Sequence, residues 1–251
     1  MFVSLSRFRV RLSGPAWIAS PLRRGLRAAT VVLFWCGQTP LGAEEAAADR
    51  HPDLKRLSPA ADVWIDVTNK QVVVGGQVCL DKGPIEYFAC PKDTKDYESL
   101  VAVRASAHLV HAALLAVGLQ PGSPVSFDPE YAAAKGPVVN VRMRWKDDAG
   151  DTQVVPAQEW IRDTRSGAPM KEAWVFAGSS FWTDPVDGKE YYQADGGDLI
   201  CLANFPTAML DLPIPSTQSN EALLFEAFDG RVPPVGTDVE LLLSKGQEAR
   251  W

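Results

Sequence analysis

From residue 62 onward, short apolar runs alternate with clusters of turn-forming residues, the rhythm of a chain built mainly of strands. VWIDV (63–67) opens the pattern, Asn69 turns the chain, and QVVVGGQVCL (71–80) and IEYFAC (85–90) follow. A two-residue Asp81-Lys82 loop would set Val78 opposite Ile85, Gly76 opposite Tyr87 and Val74 opposite Ala89. That register gathers Val72, Val74, Val78, Leu80, Ile85, Tyr87 and Ala89 on a core face. It leaves Gln77, Cys79, Glu86, Phe88 and Cys90 on the other face. A three-residue loop with Gly83 in the left-handed region would instead turn Glu86 inward. The first register sorts polar from apolar and is preferred.

Pro91 stops this segment, and ESLVAV (98–103) reads as the next strand. Ser106 can cap a helix running to Val117, closed by Gly118. Its sequence, AHLVHAALLAV, is apolar almost all round, which predicts burial on most faces, with His108 and His111 sharing one side. Beyond Gly122 the pattern returns to strands. VVNVRMRW (138–145) alternates Val, Met143 and Trp145 with Asn140, Arg142 and Arg144. KDDAGD then turns it into TQVVPAQEWIRD, a hairpin with one solvated face. WVFAGSSFW, KEYYQAD, DLICLANF, ALLFEAF and TDVELLLS complete the series. The fold class expected is α+β: a single domain, mostly antiparallel β-sheet, with one principal buried helix.

Charge and composition change the picture at the amino terminus. The first 43 residues hold six arginines and no acid, and an apolar run at 28–37 precedes QTPLGA and the acidic Glu44-Glu45. These are the three parts of a cleaved export signal, with the cut after Ala43. Cys36 raises a lipoprotein reading and Arg23-Arg24 a twin-arginine one, though Trp35 and the residues after the arginine pair suit neither. The run is too short to span a membrane, which takes about 20 apolar residues. The expected organisation is an export signal (1–43), a flexible leader (44–61) with a solvated His51, one domain (62–245) and a short tail (246–251). The whole chain carries 25 Lys+Arg against 31 Asp+Glu, a net charge of −6. Losing six arginines takes it to about −12, a field that repels nucleic acid.

Candidate chemistry is sparse. Cys79, Cys90 and Cys201 survive processing; three is odd, so at least one thiol stays free, and Cys201 is the better disulfide partner for either of the others. His108 and His111, three apart on a helix, together with Glu86 and Glu98 from neighbouring segments, outline a polar corner able to bind a ligand. Packing and capping roles account for such a pair more readily, and no metal or cofactor is assigned. Gly178-Ser179-Ser180 lacks the elbow spacing of a serine nucleophile. Trp174, Phe176, Phe181, Trp182, Tyr191 and Tyr192 form an aromatic cluster. Trp174 and Phe176 are expected in the core; Trp182, Tyr191 and Tyr192 are expected to face a partner.

Several of these segments together resemble the YdjY-domain proteins of bacteria: VCLDKGPIEYFACPKDTKDYESLVAV, VHAALLAVG, WVFAGSSFW, YYQADGGDLICLANFPTAMLDLPI and LLFEAF. The similarity runs from about Val63 to Leu243. It implies an exported protein, in a family whose function is not established and some of whose members carry an attached iron–sulfur module; no such module is visible in this sequence. The family pattern places His-Glu-Ser where Tyr97-Glu98-Ser99 stands, so Glu98, Ser99 and His111 match a polar cluster from which Tyr97 departs. Cys79, Cys90, Cys201, Ser179, Asn204 and Asp211 also fall on motif positions; turn and cap chemistry suits the last two. The function expected is a non-enzymatic binding or accessory module outside the cytoplasm, in the periplasm or beyond, meeting a protein or small ligand. The alternative is an exported enzyme or redox accessory using Glu98 and His111, with Cys90 as a further candidate, with or without a metal.

Overall fold

Eight strands close into a ring in the computed structural model, which describes residues 49–217 and 223–247. The expected export signal, the first residues of the expected leader and the end of the tail lie outside the described residues. In chain order the strands are β1 (Lys55–Arg56), β2 (Val63–Asp66), β3 (Gln71–Val78), β4 (Tyr87–Pro91) and β5 (Ser99–Val103), then helix α1 (Ala107–Ala116). After the helix come β6 (Val138–Lys146), β7 (Thr152–Pro156), β8 (Ile161–Asp163), β9 (Trp174–Phe176) and β10 (Phe181–Thr183). The last are β11 (Glu190–Tyr192), β12 (Ile200–Cys201), β13 (Leu210–Asp211), β14 (Phe225–Ala227) and β15 (Asp238–Lys245). The barrel runs β3-β15-β6-β9-β13-β12-β4-β5 and closes through β5 onto β3. Strands β1, β2 and β7 extend this sheet outside the ring; β10–β11 and β8–β14 form separate two-stranded pairs.

This overturns the expected α+β class. The protein is a mostly-β barrel with a single α-helix among the described residues, and the sheet is mixed: β4–β5 and β12–β13 are parallel. The expected first hairpin is absent too. β4 does not pair with β3; it lies between β5 and β12, and β3 pairs with β2, β5 and β15. Hence Tyr87 leaves the main core for an outer cluster with Cys201, Ala208 and Phe205, while Phe88 packs inside. A local turn signal loses here to non-local pairings that bury both faces of β4.

Closure depends on β3 changing partner along one edge. Residues 71–74 pair with β2, residues 76–78 pair with β5, and β15 runs along the opposite edge. The hand-over falls at Gly75-Gly76, where Gly75 N–H donates to Asp62 O and Gly75 O accepts from Arg104 N–H. A Cβ on Gly76 would stand 2.9 Å from the Ala102 carbonyl oxygen, so a side chain cannot enter without opening the seam. β6 repeats the device, giving one stretch of its edge to β7 and another to β9.

Inside the ring, Val139, Val141 and Met143 of β6 and Val239, Leu241 and Leu243 of β15 meet Trp174 and Phe176 of β9. The alternation predicted for 138–145 is therefore correct. Trp174 is fully buried and its Nε1–H donates to Cys201 O at 2.8 Å, which removes the cost of an unpaired indole. The supposed leader is also bound to the barrel from residue 49 onward. Trp64 Nε1–H donates to Asp49 Oδ1, His51 Nε2 lies 2.6 Å from Glu240 Oε1, and β1 pairs with β2. His51 is thus packed, edge-on to Trp64, rather than solvated.

Gly76→Ala is expected to lower stability by about 1–3 kcal/mol through overpacking at the seam, read as a fall in the urea midpoint. An unchanged midpoint would mean that the β3–β5 junction does not constrain the fold.

Candidate functional site

Helix α1 begins after Ser106, whose extended backbone makes the N-cap, and ends at Gly118 with φ +93°. Leu119 N–H then bonds back to Leu114 O, as the glycine signal predicted. Only Ala107, Val110, Ala113 and Leu114 are buried, against β2 and β3. The expected burial on most faces fails, because alanine-rich turns are apolar without needing to be covered. His108 faces solvent. Its Nδ1 lies 2.7 Å from Asp195 Oδ2, and its backbone N–H donates to Asp195 Oδ1 at 3.0 Å, so one carboxylate caps the helix that Ser106 leaves uncapped.

His111, one turn on, is half-buried and sits edge-on to Phe176 and Tyr192. Its Nδ1 is 2.8 Å from Tyr192 Oη, and that hydroxyl donates to Gly178 O at 2.9 Å. A carbonyl only accepts, so the tyrosine proton goes to Gly178 and the imidazole proton sits on Nδ1. Burial lowers the His111 pKa and keeps the ring neutral.

The apolar stretch 174–182 does not run straight. After β9, Gly178 (φ +96°) and Ser179 (φ +57°) turn the chain out of the barrel. Ser179 is held there by its N–H to Ala208 O and its hydroxyl to Thr207 O at 2.6 Å. Outside, β10 and β11 form a short antiparallel arm with Trp182 directly opposite Tyr191. The two rings lie 6.0 Å apart at 34° and are each about half exposed, while Phe181 stands 66% exposed. Tyr192, expected at the surface, is instead buried and anchors the arm to the helix. Beside the ring pair lies an open groove of about 580 Å³, lined by Trp182, Tyr191, Asp184, Asp195, Gln193 and Thr207 among others. His108, His111, Ser179 and Trp182 thus converge on the arm and its root. Asp195 was not singled out from sequence, because DGG reads as a turn.

Glu86 and Glu98 are placed elsewhere. They meet each other, and burial together with the Glu98 charge raises the Glu86 pKa. His111 shares no partner with either, so the predicted corner between glutamates and helix does not form. The reason is again β4, which carries Glu86 to the β12 side of the ring. Tyr97 is exposed beside Glu98. Ser99 is fully buried, its hydroxyl donating to Lys95 O at 2.8 Å. Cys79, Cys90 and Cys201 are all free thiols, so no disulfide links them. Burial pushes the Cys79 thiol up to about 12 and raises the other two, conditions that suppress thiolate chemistry. Nearby, unassigned from sequence, Lys95 spans Asp198 Oδ1 at 3.0 Å and the Tyr87 hydroxyl, lying over the stacked Tyr87 and Phe205 rings.

Asn204 and Asp211 form a second polar unit. Asn204 Nδ2 donates to Asp211 Oδ1 and Leu212 O, and its Oδ1 accepts from Ser216 N–H. They fasten the chain after β12 and β13, beside a cleft of about 440 Å³ walled by Phe127, Tyr131, Pro215 and Leu224. Asp211 is fully buried with Oδ2 unpartnered, and burial raises its pKa to about 7. A third hollow of about 430 Å³ near Arg50 and Arg144 has these cations paired with Asp238 and Glu240.

Residues 63–244 match the family model described as the YdjY domain. No curated protein and no solved structure matches the chain. Among the described residues no helix is long and apolar enough to cross a membrane.

The raised Asp211 pKa has a definite sign. Between about pH 4 and pH 7 the folded chain holds a proton that the unfolded chain has released, so stability falls as pH rises, by on the order of 1 kcal/mol per pH unit. Asp211→Asn keeps the Oδ1 acceptor without the charge. Urea unfolding across that window should show a flatter pH slope in the variant; equal slopes would refute a neutral native Asp211.

Proposed function

The chain belongs to the YdjY domain family, and we propose that it is an exported binding module whose ligand face is the β10–β11 arm. The observation carrying this reading is the ring pair Trp182–Tyr191, held half-exposed on a two-stranded projection outside the barrel. Nothing in the barrel's packing requires those rings, since Trp174, Phe176 and Phe88 already fill the interior. The projection is also braced at its root. Tyr192 bonds to Gly178 and His111, and Ser179 is pinned to Thr207, so the rings are presented without first being ordered. A groove with an aromatic wall and a few polar groups is the usual form of a small-ligand seat.

Export rests on the arginine-rich, acid-free first 43 residues and the apolar run within them. Burial raises the pKa of all three thiols, which weighs against the thiol redox alternative.

Two measurements test the reading. Amino-terminal sequencing of the protein recovered from the cell envelope should begin at Glu44; recovery of the uncleaved chain in the cytoplasm alone would refute export. In envelope extracts, the Trp182→Ala/Tyr191→Ala double variant should lose at least about tenfold of any specifically retained component, the loss expected when two aromatic anchors go. Phe127→Ala in the other cleft should retain it. Equal retention by the arm variant would move the ligand face elsewhere.

A further inference from the structure

The groove beside the arm has a chemical bias that narrows what it can hold. Its wall combines the indole of Trp182 and the phenol of Tyr191 with the carboxylates of Asp184 and Asp195, and no lysine or arginine lines it. Asp195 is engaged by His108. Asp184 is not engaged by any cation: its Oδ1 accepts the Val186 N–H at 2.8 Å, and Oδ2 has no partner among the described residues. Along residues 184–195, Asp184, Asp187, Glu190 and Asp195 face a single cation, Lys189, which is bound to Asp187 at 2.8 Å. The local field is therefore negative, and the faces of both rings add negative potential from their quadrupoles.

We propose that this groove seats a small organic cation, an alkylated ammonium group, between the Trp182–Tyr191 rings and the Asp184 carboxylate. The inference rests on the arm being the ligand face and adds the class of ligand. An anion would meet two carboxylates and no counter-charge. A neutral apolar body could stack on the rings but would leave Asp184 unused. An ammonium with methyl substituents satisfies both, because it offers an apolar surface to the rings and a diffuse charge to the carboxylate. The groove's volume of about 580 Å³ admits such a head group with a short substituent.

The test compares choline with its uncharged carbon isostere, in which a tert-butyl group replaces the trimethylammonium. Binding is read by NMR from the Trp182 indole N–H, assigned through Trp182→Phe. Choline should shift that resonance saturably in the millimolar range and bind roughly tenfold more tightly than the isostere. Asp184→Asn should reduce choline affinity several-fold and leave the isostere unchanged; Tyr191→Ala, which keeps the Trp182 reporter, should weaken both. Raising salt should weaken choline only. Equal binding of choline and isostere would overturn the cation assignment while leaving the arm as a binding face. Absence of any shift with either probe would also overturn it, and the envelope-extract comparison would then decide the arm's role independently.

Discussion

The close approach of β3 to β5 at Gly75-Gly76 is the constraint on which the remaining structure hangs. A strand edge can serve two partners in succession only where the backbone admits both, and here a Cβ would collide with the Ala102 carbonyl. Once β5 joins that edge the sheet becomes a ring, and a ring has no free edge among its members. That explains how strands as short as β12 and β13, two residues each, persist. Each is held on both sides, and the interior side chains of β6, β9 and β15 supply the burial that two residues alone could not.

Closure also decides where the functional surface can lie. With the interior filled by Trp174, Phe176 and Phe88, the barrel offers no lumen for a ligand. Binding surface must be built outside, and the positive φ at Gly178 and Ser179 turns the chain outward as β9 ends. The same turn is tied back to the barrel through Tyr192 and Thr207, so the arm is an extension of the core's hydrogen bonding rather than a free loop.

Some of this was legible in the sequence and some could not be. Strands β6, β7 and β15 were readable because one face meets water at least in part, and alternation reports that directly. The ends of α1 were readable because Ser106 and Gly118 mark them locally, but the side chain that caps the N-terminus is Asp195, far off in sequence, and not Ser106. The barrel was not readable, since its closing pair β3–β5 joins residues about 25 apart and the ring elsewhere includes parallel neighbours that leave no periodic mark. The Asp81-Lys82-Gly83 turn misled for a related reason. A good local turn constrains four residues, whereas β4 gains two complete neighbours by leaving β3. At the site, the split between core and surface aromatics was right for Trp174, Phe176, Trp182 and Tyr191. It failed for Tyr192, because the hydroxyl partners that bury it come from Gly178 and from a helix 81 residues away.

The two predicted histidines show how one helix face divides its labour. Three residues apart on one face, they were read as part of a candidate polar corner, with packing and capping as the readier account. In the structure they perform opposite tasks. His111 is desolvated and neutral, its protonated nitrogen spent on Tyr192, so it acts as a fixed post for the arm. His108 meets water and shares with its own backbone the carboxylate of Asp195. That carboxylate therefore closes the helix N-terminus and lines the groove at once. Asp184 holds only the Val186 N–H of its own turn and meets no cation among the described residues. Of the two acids in the groove, it is the one whose charge remains to be answered from outside, and the polarity of the whole face follows from that difference.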